Sequence, residues 1–144
     1  GMVSEKVHLA LEVYFRQCAI QVTCDQLATI AGTLSNLGEN PRTGKVVYDI
    51  DRVKEMLSIM LTCGMYDYSG QWAYNVGVPA KSGVSGGIMS VINRQLGCAS
   101  YSPLLDKRGN SARGINASID LAGELGLHTF DCMNSGSDYL KAIL

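Results

Sequence analysis

The sequence predicts an α+β domain, with helices first and antiparallel strands after. Before Pro79, apolar residues recur at helical spacing. After it they gather in short runs bounded by turn residues. A hydrophobic content of 47% over 144 residues supplies enough material for one compact core.

The first helix is predicted from Val7, Ala10, Leu11, Tyr14, Phe15 and Cys18, which share one helical face. Leu27, Ile30, Ala31 and Leu34 give the second. Thr23-Cys-Asp-Gln26 reads as its capping box and Gly38 as its stop. Asn40-Pro-Arg-Thr-Gly44 is a turn. Val53, Met56, Leu57, Met60 and Leu61 make a third helix, opened by Asp49 or Asp51 and closed at Gly64. A short fourth helix carries Trp72 and Tyr74. The chain around Lys81–Gly87 is a short, glycine-rich lead-in strand, where absent side chains allow close backbone approach. Gly87-Ile-Met-Ser-Val-Ile92 reads as a strand buried on both faces. Asn93–Gln95 turns it into Leu96–Tyr101, the returning strand of a hairpin. Asp106–Asn110 is a loop, and Asn110 or Ser111 caps a last helix through Ile115, Ile119 and Ala122 that ends at Gly126.

Composition narrows the function classes. A formal charge of −1 offers neither a basic field for nucleic acid nor a polybasic membrane patch. No apolar run approaches the roughly 18–20 residues that span a bilayer. Gly1-Met-Val-Ser-Glu-Lys6 has no charged-then-apolar signal pattern, and Gly1-Met2 reads as a scar of tag removal. Five cysteines, odd in number and without a C-x-x-C pair, predict reduced thiols and a cytoplasmic location. His8 and His128 lack a carboxylate or cysteine at ligand spacing, so no metal is expected. Ala80 stands before Lys81 where a phosphate-binding P-loop requires glycine.

Three stretches carry chemistry. They are Cys63-Gly-Met-Tyr-Asp-Tyr68, then Gly77-Val-Pro-Ala-Lys-Ser-Gly-Val-Ser-Gly-Gly87, then Leu105-Asp-Lys-Arg-Gly-Asn-Ser-Ala-Arg-Gly114. A Lys-Ser/Thr-Gly triplet lines the serine-acylation site of penicillin-binding proteins and β-lactamases. With its flanking blocks, the chain from about Tyr14 to about Phe130 resembles the C-terminal half of a serine-dependent glutaminase. That is a β-lactamase-like amidohydrolase that converts L-glutamine to L-glutamate and ammonia. The Cys-Gly-Met-Tyr-Asp block argues against a penicillin-recognising protein. The resemblance implies an α+β, β-lactamase-like fold, of which residues 1–144 form the C-terminal part. About 3–78 would be its helical part and about 79–130 its antiparallel strands and closing helix. It implies no metal and no organic cofactor.

The resemblance also assigns roles. Acyl transfer needs a nucleophile, a base and oxyanion donors. The family takes the first two from the serine and lysine of an S-x-x-K turn. This sequence contains no such spacing, since Ser135 and Ser137 precede Lys141 at the wrong separations. Tyr66 matches the tyrosine whose hydroxyl assists proton movement beside the serine. Val84 matches the residue whose backbone N–H completes the oxyanion hole. Tyr14 matches a substrate-contacting tyrosine, although its place on an apolar helical face also suits core packing. Lys81 would hold a substrate carboxylate, or simply reach solvent from a strand start. Ser82 would hydrogen-bond substrate, or satisfy a strand end. Asp67 reads as a helix cap and Cys63 as a buried structural cysteine.

The expected function is therefore glutaminase action on L-glutamine, in a chain inactive alone for want of S-x-x-K. The alternative is a non-catalytic fragment or pseudo-enzyme serving as an interaction module. Uncovered apolar faces at Ile88, Val91, Ile92 and the final helix would drive formation of a homo-oligomer.

Overall fold

A computed structural model describes residues 6–131. The expectations for Gly1-Met2, Ser135, Ser137 and Lys141 therefore lie outside the described residues. Five α-helices and three strands follow one another as α1 (Val7–Cys18), α2 (Cys24–Ser35), α3 (Ile50–Cys63), α4 (Ser69–Asn75), β1 (Ala80–Ser82), β2 (Gly87–Ile92), β3 (Leu96–Tyr101) and α5 (Ala112–Leu125). A single 3₁₀ turn, Tyr66–Tyr68, joins α3 to α4. The order is the helices-then-hairpin pattern that the sequence predicts.

The helix ends are locally encoded. Thr23 Oγ1 accepts from the Gln26 N–H and the Gln26 side chain accepts from the Thr23 N–H, closing the capping box of α2. Of the two candidates for α3, Asp49 is the cap, accepting from Arg52 N–H at 2.9 Å. Of the two for α5, Ser111 is the cap, accepting from Gly114 N–H at 3.1 Å. Gly126 ends α5 in the left-handed conformation. Asp67 does not act as a cap; the hydroxyl of Ser69 holds that turn instead.

The sheet is an antiparallel meander in the order β1-β2-β3, with Ala80↔Ser90, Lys81↔Met89 and Ser82↔Ile88 in register. Side-chain alternation along β2 divides the apolar residues into two cores. Ile88 and Ile92 face Met65, Trp72, Val76, Val78, Ile115 and Ala122. Val91 and Met89 face Ala31, Leu34, Val53, Leu57 and Met60. Strand β2 is thus covered on both sides, by α2 and α3 on one and by α4 and α5 on the other. This overturns the expectation of wet apolar faces at Ile88, Val91 and Ile92, which are only 2%, 0% and 4% exposed. Helices of the same chain, distant from β2 in sequence, cover them.

Apolar surface remains exposed elsewhere. Helix α1 has no buried residue, and Leu9, Val13, Tyr14 and Phe15 are all more than half exposed. Its amphipathic face forms a helix, as its spacing predicts, but no described element packs over it. The core-packing reading of Tyr14 therefore fails within the described residues. Cys63 is likewise exposed rather than buried, its thiol directed to the Ile59 carbonyl at 3.2 Å.

Two close approaches fix how the helical part meets the sheet. A side chain at Gly64 would place its Cβ 1.7 Å from the Ala80 carbonyl oxygen, and one at Gly97 would strike the Ala31–Gly32 backbone. Only glycine lets α3 end against β1 and α2 cross β3 at these distances. Trp72 seals the other core, fully buried, with its indole N–H donating to the Val78 carbonyl at 2.8 Å. Trp72→Ala should destabilise the fold by about 3–5 kcal/mol, the usual cost of a large cavity. Urea unfolding followed by circular dichroism measures it, and a loss below about 1 kcal/mol would remove Trp72 from the centre of this core.

Candidate functional site

Tyr66 leaves the end of α3 in an unusual backbone state. Its φ is +54°, one of three non-glycine residues with positive φ among those described. A bulky side chain in that region costs about 1–3 kcal/mol unless surrounding contacts hold it. Those contacts are present on both sides. Ser69 Oγ accepts from the Met65 N–H at 3.0 Å and donates to the Tyr66 carbonyl at 2.8 Å. The fully buried Asn110 donates its side-chain N–H to the Met65 carbonyl at 3.3 Å, across 45 residues of sequence. The phenol ring itself stays 41% exposed.

Lys81 reaches this ring from β1. Its ammonium lies 4.8 Å from the Tyr66 ring centroid and donates to the Ser82 carbonyl. Partial burial penalises the charged form and lowers the Lys81 pKa, an effect opposed by the neighbouring Cys63. Alternation sends Ser82 to the opposite face, in register with Ile88. There it is 1% exposed, and its hydroxyl has no hydrogen-bond partner among the described residues. The triplet thus contributes Lys81 to the face of Tyr66 and buries the Ser82 side chain on the α5 side.

After β1 the chain turns sharply. Gly83 N–H bonds the Gly87 carbonyl and Gly86 N–H bonds the Gly83 carbonyl, each at 2.9 Å. Val84 lies within this turn, 71% exposed, and its N–H makes no hydrogen bond among the described residues. A free main-chain donor on a tight turn is what an oxyanion site requires. The loop before α5 closes the gap between Val84 and Tyr66. A Cβ at Gly109 would lie 4.0 Å from Tyr66 Cε2 and 4.0 Å from Val84 Cγ1. That loop is held by Asp106, whose Oδ1 accepts from the N–H groups of Arg108 and Asn110 at 2.9 Å.

Tyr14 approaches from α1. Its phenol pKa is raised, first by a hydrogen bond with Cys18 one helical turn on, and further by the nearby Cys18 and Tyr66. The structure therefore groups Tyr66, Lys81 and Val84, sets Tyr14 within electrostatic reach of Tyr66, and leaves the Ser82 side chain apart. Ser69, Gly109 and Asn110 were not among the residues singled out for the site, and only Gly109 and Asn110 had a signal, as members of the Leu105–Gly114 block. Among the described residues no group of three or more His, Cys, Asp or Glu could hold a metal ion. No helix there is long and apolar enough to cross a membrane.

Comparison with known proteins gives one answer throughout. A family described as Glutaminase matches residues 1–130. A glutaminase of Nostoc sp. is 50% identical over 137 residues, covering 95% of this chain and 41% of the relative. The liver-isoform mitochondrial glutaminase of Mus musculus is 47% identical over 122 residues, covering 85% of this chain and 20% of its own. Among solved structures, the probable glutaminase ybaS superposes with a TM-score of 0.82 at 45% identity, over 84% of this chain and 39% of that one. The Bacillus subtilis glutaminase YbgJ, in covalent complex with 5-oxo-L-norleucine, superposes with a TM-score of 0.79 at 43% identity, over 83% of this chain and 43% of that one. The chain thus spans about 40% of the length of the Nostoc sp. and Trichormus variabilis glutaminases it matches.

The lowered Lys81 pKa has a direct readout. An amine with a depressed pKa loses its proton at lower pH, so its neutral, nucleophilic form appears earlier on the alkaline side. The pH midpoint of Lys81 acetylation, followed by mass spectrometry, should fall below the ordinary lysine value of about 10.4. A midpoint at or above that ordinary value would contradict the burial argument.

Proposed function

The chain belongs to the glutaminase family, and we propose that it is the C-terminal part of a single glutaminase domain that hydrolyses L-glutamine to L-glutamate and ammonia. The observation that supports this reading is that the Lys81 ammonium lies over the Tyr66 ring, while Gly109 borders both that ring and the side chain of Val84, whose N–H the fold leaves unused. Tyr66, Lys81 and Val84 are three of the positions that the resemblance marks as functional, drawn from two separate stretches of sequence. The covalent 5-oxo-L-norleucine complex of the Bacillus subtilis relative supports a nucleophilic mechanism by analogy.

In this reading a serine hydroxyl outside this chain attacks the side-chain amide carbon of glutamine. A lysine outside this chain takes the serine proton. The carbonyl oxygen gains negative charge and is held by the Val84 N–H together with the N–H of that serine. As the C–N bond breaks, a proton passes to the leaving nitrogen and ammonia departs. Water then cleaves the ester and frees the serine and glutamate. Tyr66 assists proton movement between serine and leaving group. The Lys81 ammonium lies over its ring, 4.8 Å from the centroid, and helps hold the phenol in place. Tyr14 and Lys81 help hold the amino-acid end of glutamine. Ser82, with its buried hydroxyl, is the remaining substrate-binding candidate of the triplet. No metal or organic cofactor, nucleic acid or membrane enters the reading.

The odd cysteine count, with Cys18, Cys24, Cys63 and Cys98 free among the described residues, supports a cytoplasmic setting. The exposed apolar residues of α1 support self-association of this chain. Light scattering at tens of micromolar should show species above the monomer mass. A clean monomer that binds no hydrophobic dye would remove that part of the proposal.

Without a serine–lysine pair, this chain alone should release no ammonia from glutamine at enzymatic rates. In the full-length glutaminase carrying this sequence, Tyr66→Phe should lower kcat by about 10²–10⁴-fold, the usual contribution of a positioned proton-transfer group. KM should change little, because an interaction made mainly in the transition state appears in kcat. Tyr14→Phe should instead raise KM at least as much as it lowers kcat. Steady-state kinetics with melting temperatures as controls measures both. Near-normal kcat in Tyr66→Phe would reduce Tyr66 to a packing aromatic and defeat the assigned mechanism.

A further inference from the structure

We propose that Ser69 and Asn110 are positioning residues for Tyr66, gripping its backbone in the left-handed conformation so that the phenol is held beside Lys81. The proposal rests on the reading of Tyr66 as the proton-handling residue. It goes beyond that reading by assigning two residues that touch no reacting atom.

The argument begins with φ at Tyr66, +54° in a residue with a bulky side chain. Such a conformation persists only where the surroundings over-determine it, and it relaxes when they are loosened. Three hydrogen bonds do the holding. Ser69 Oγ takes the Met65 N–H and gives its own proton to the Tyr66 carbonyl, while Asn110 takes hold of the Met65 carbonyl. The peptide groups on both sides of Tyr66 are therefore fixed, one of them by a residue 45 positions away.

The distant residue is itself immobilised. Asn110 is fully buried, its N–H donates to Asp106 Oδ1 and its carbonyl accepts from the Asp106 N–H at 2.7 Å. The same loop sets Gly109 against both Tyr66 and Val84. The loop before α5 thus locks the angle at which the Tyr66 ring leaves the backbone, relative to the turn that carries the Val84 N–H. A side chain that only stabilised the fold would have no reason to grip this one strained peptide from two directions.

The test uses the full-length glutaminase carrying this sequence. Ser69→Ala and Asn110→Ala should each lower kcat by about 10–100-fold through misplacement of the phenol, with KM within about twofold. Ser69→Thr keeps the hydroxyl and should restore most of the loss. In a Tyr66→Phe background the same two substitutions should cost less than about threefold further, because groups acting through one hydroxyl are not additive. Crystal structures of the two alanine variants should show Tyr66 leaving positive φ. Additive losses in the Tyr66→Phe background, or positive φ retained in both variants, would overturn the clamp. Should Tyr66→Phe alone keep its kcat, the catalytic reading of Tyr66 falls, and φ in the alanine variants then decides the clamp by itself.

Discussion

Helix α3 and strand β1 meet at Gly64, where the Ser82 N–H donates to the Gly64 carbonyl at 3.0 Å and the Ala80 carbonyl fills the space of a side chain. The rest of the site depends on this contact. It joins the helical part of the chain to its sheet and sets the two chemistry-bearing stretches side by side. Tyr66 lies two residues beyond Gly64, and Lys81 lies between the two contact points on β1. Were the backbones held apart by one Cβ, the Lys81 ammonium would no longer sit over the Tyr66 ring.

From that contact the site is assembled by alternation and by strain. β1 is only three residues long, yet its pairing with β2 decides everything about the triplet. Lys81 opposes Met89 and turns toward Tyr66, while Ser82 opposes Ile88 and is buried under α5. The turn that follows leaves the Val84 N–H unused by the fold. Tyr66 departs from α3 in a conformation that local sequence disfavours, held by partners from α4 and from the loop before α5. A fold that spends stability to keep one aromatic residue in place, next to a lysine with a lowered pKa, has the character of a functional site.

Much of this was legible in the sequence because it is local. Capping boxes and helix stops act over three or four residues, so Thr23 and Gly126 could be read directly, and Asp49 and Ser111 each as one of two candidates. The double-faced burial of Gly87–Ile92 followed from its short, largely apolar and β-branched run. Three features were not legible, each for a physical reason. The exposure of α1 depends on what packs against it, which its own spacing does not encode. The burial of Ser82 depends on register with β2, and a shift of one residue would have exchanged it with Lys81. The hold on Tyr66 depends on Asn110 crossing 45 residues of chain, a contact that no local pattern announces.

Gly64→Ala in the full-length glutaminase carrying this sequence tests the central claim most directly, since its Cβ would strike the Ala80 carbonyl while adding no chemistry to the site. The measurement is glutamine turnover by protein verified as folded at the assay temperature. The account predicts that kcat falls by about 10²-fold, as expected when catalytic groups are displaced by about an ångström. A folded Gly64→Ala enzyme with normal kcat would show that the α3–β1 contact does not position the site.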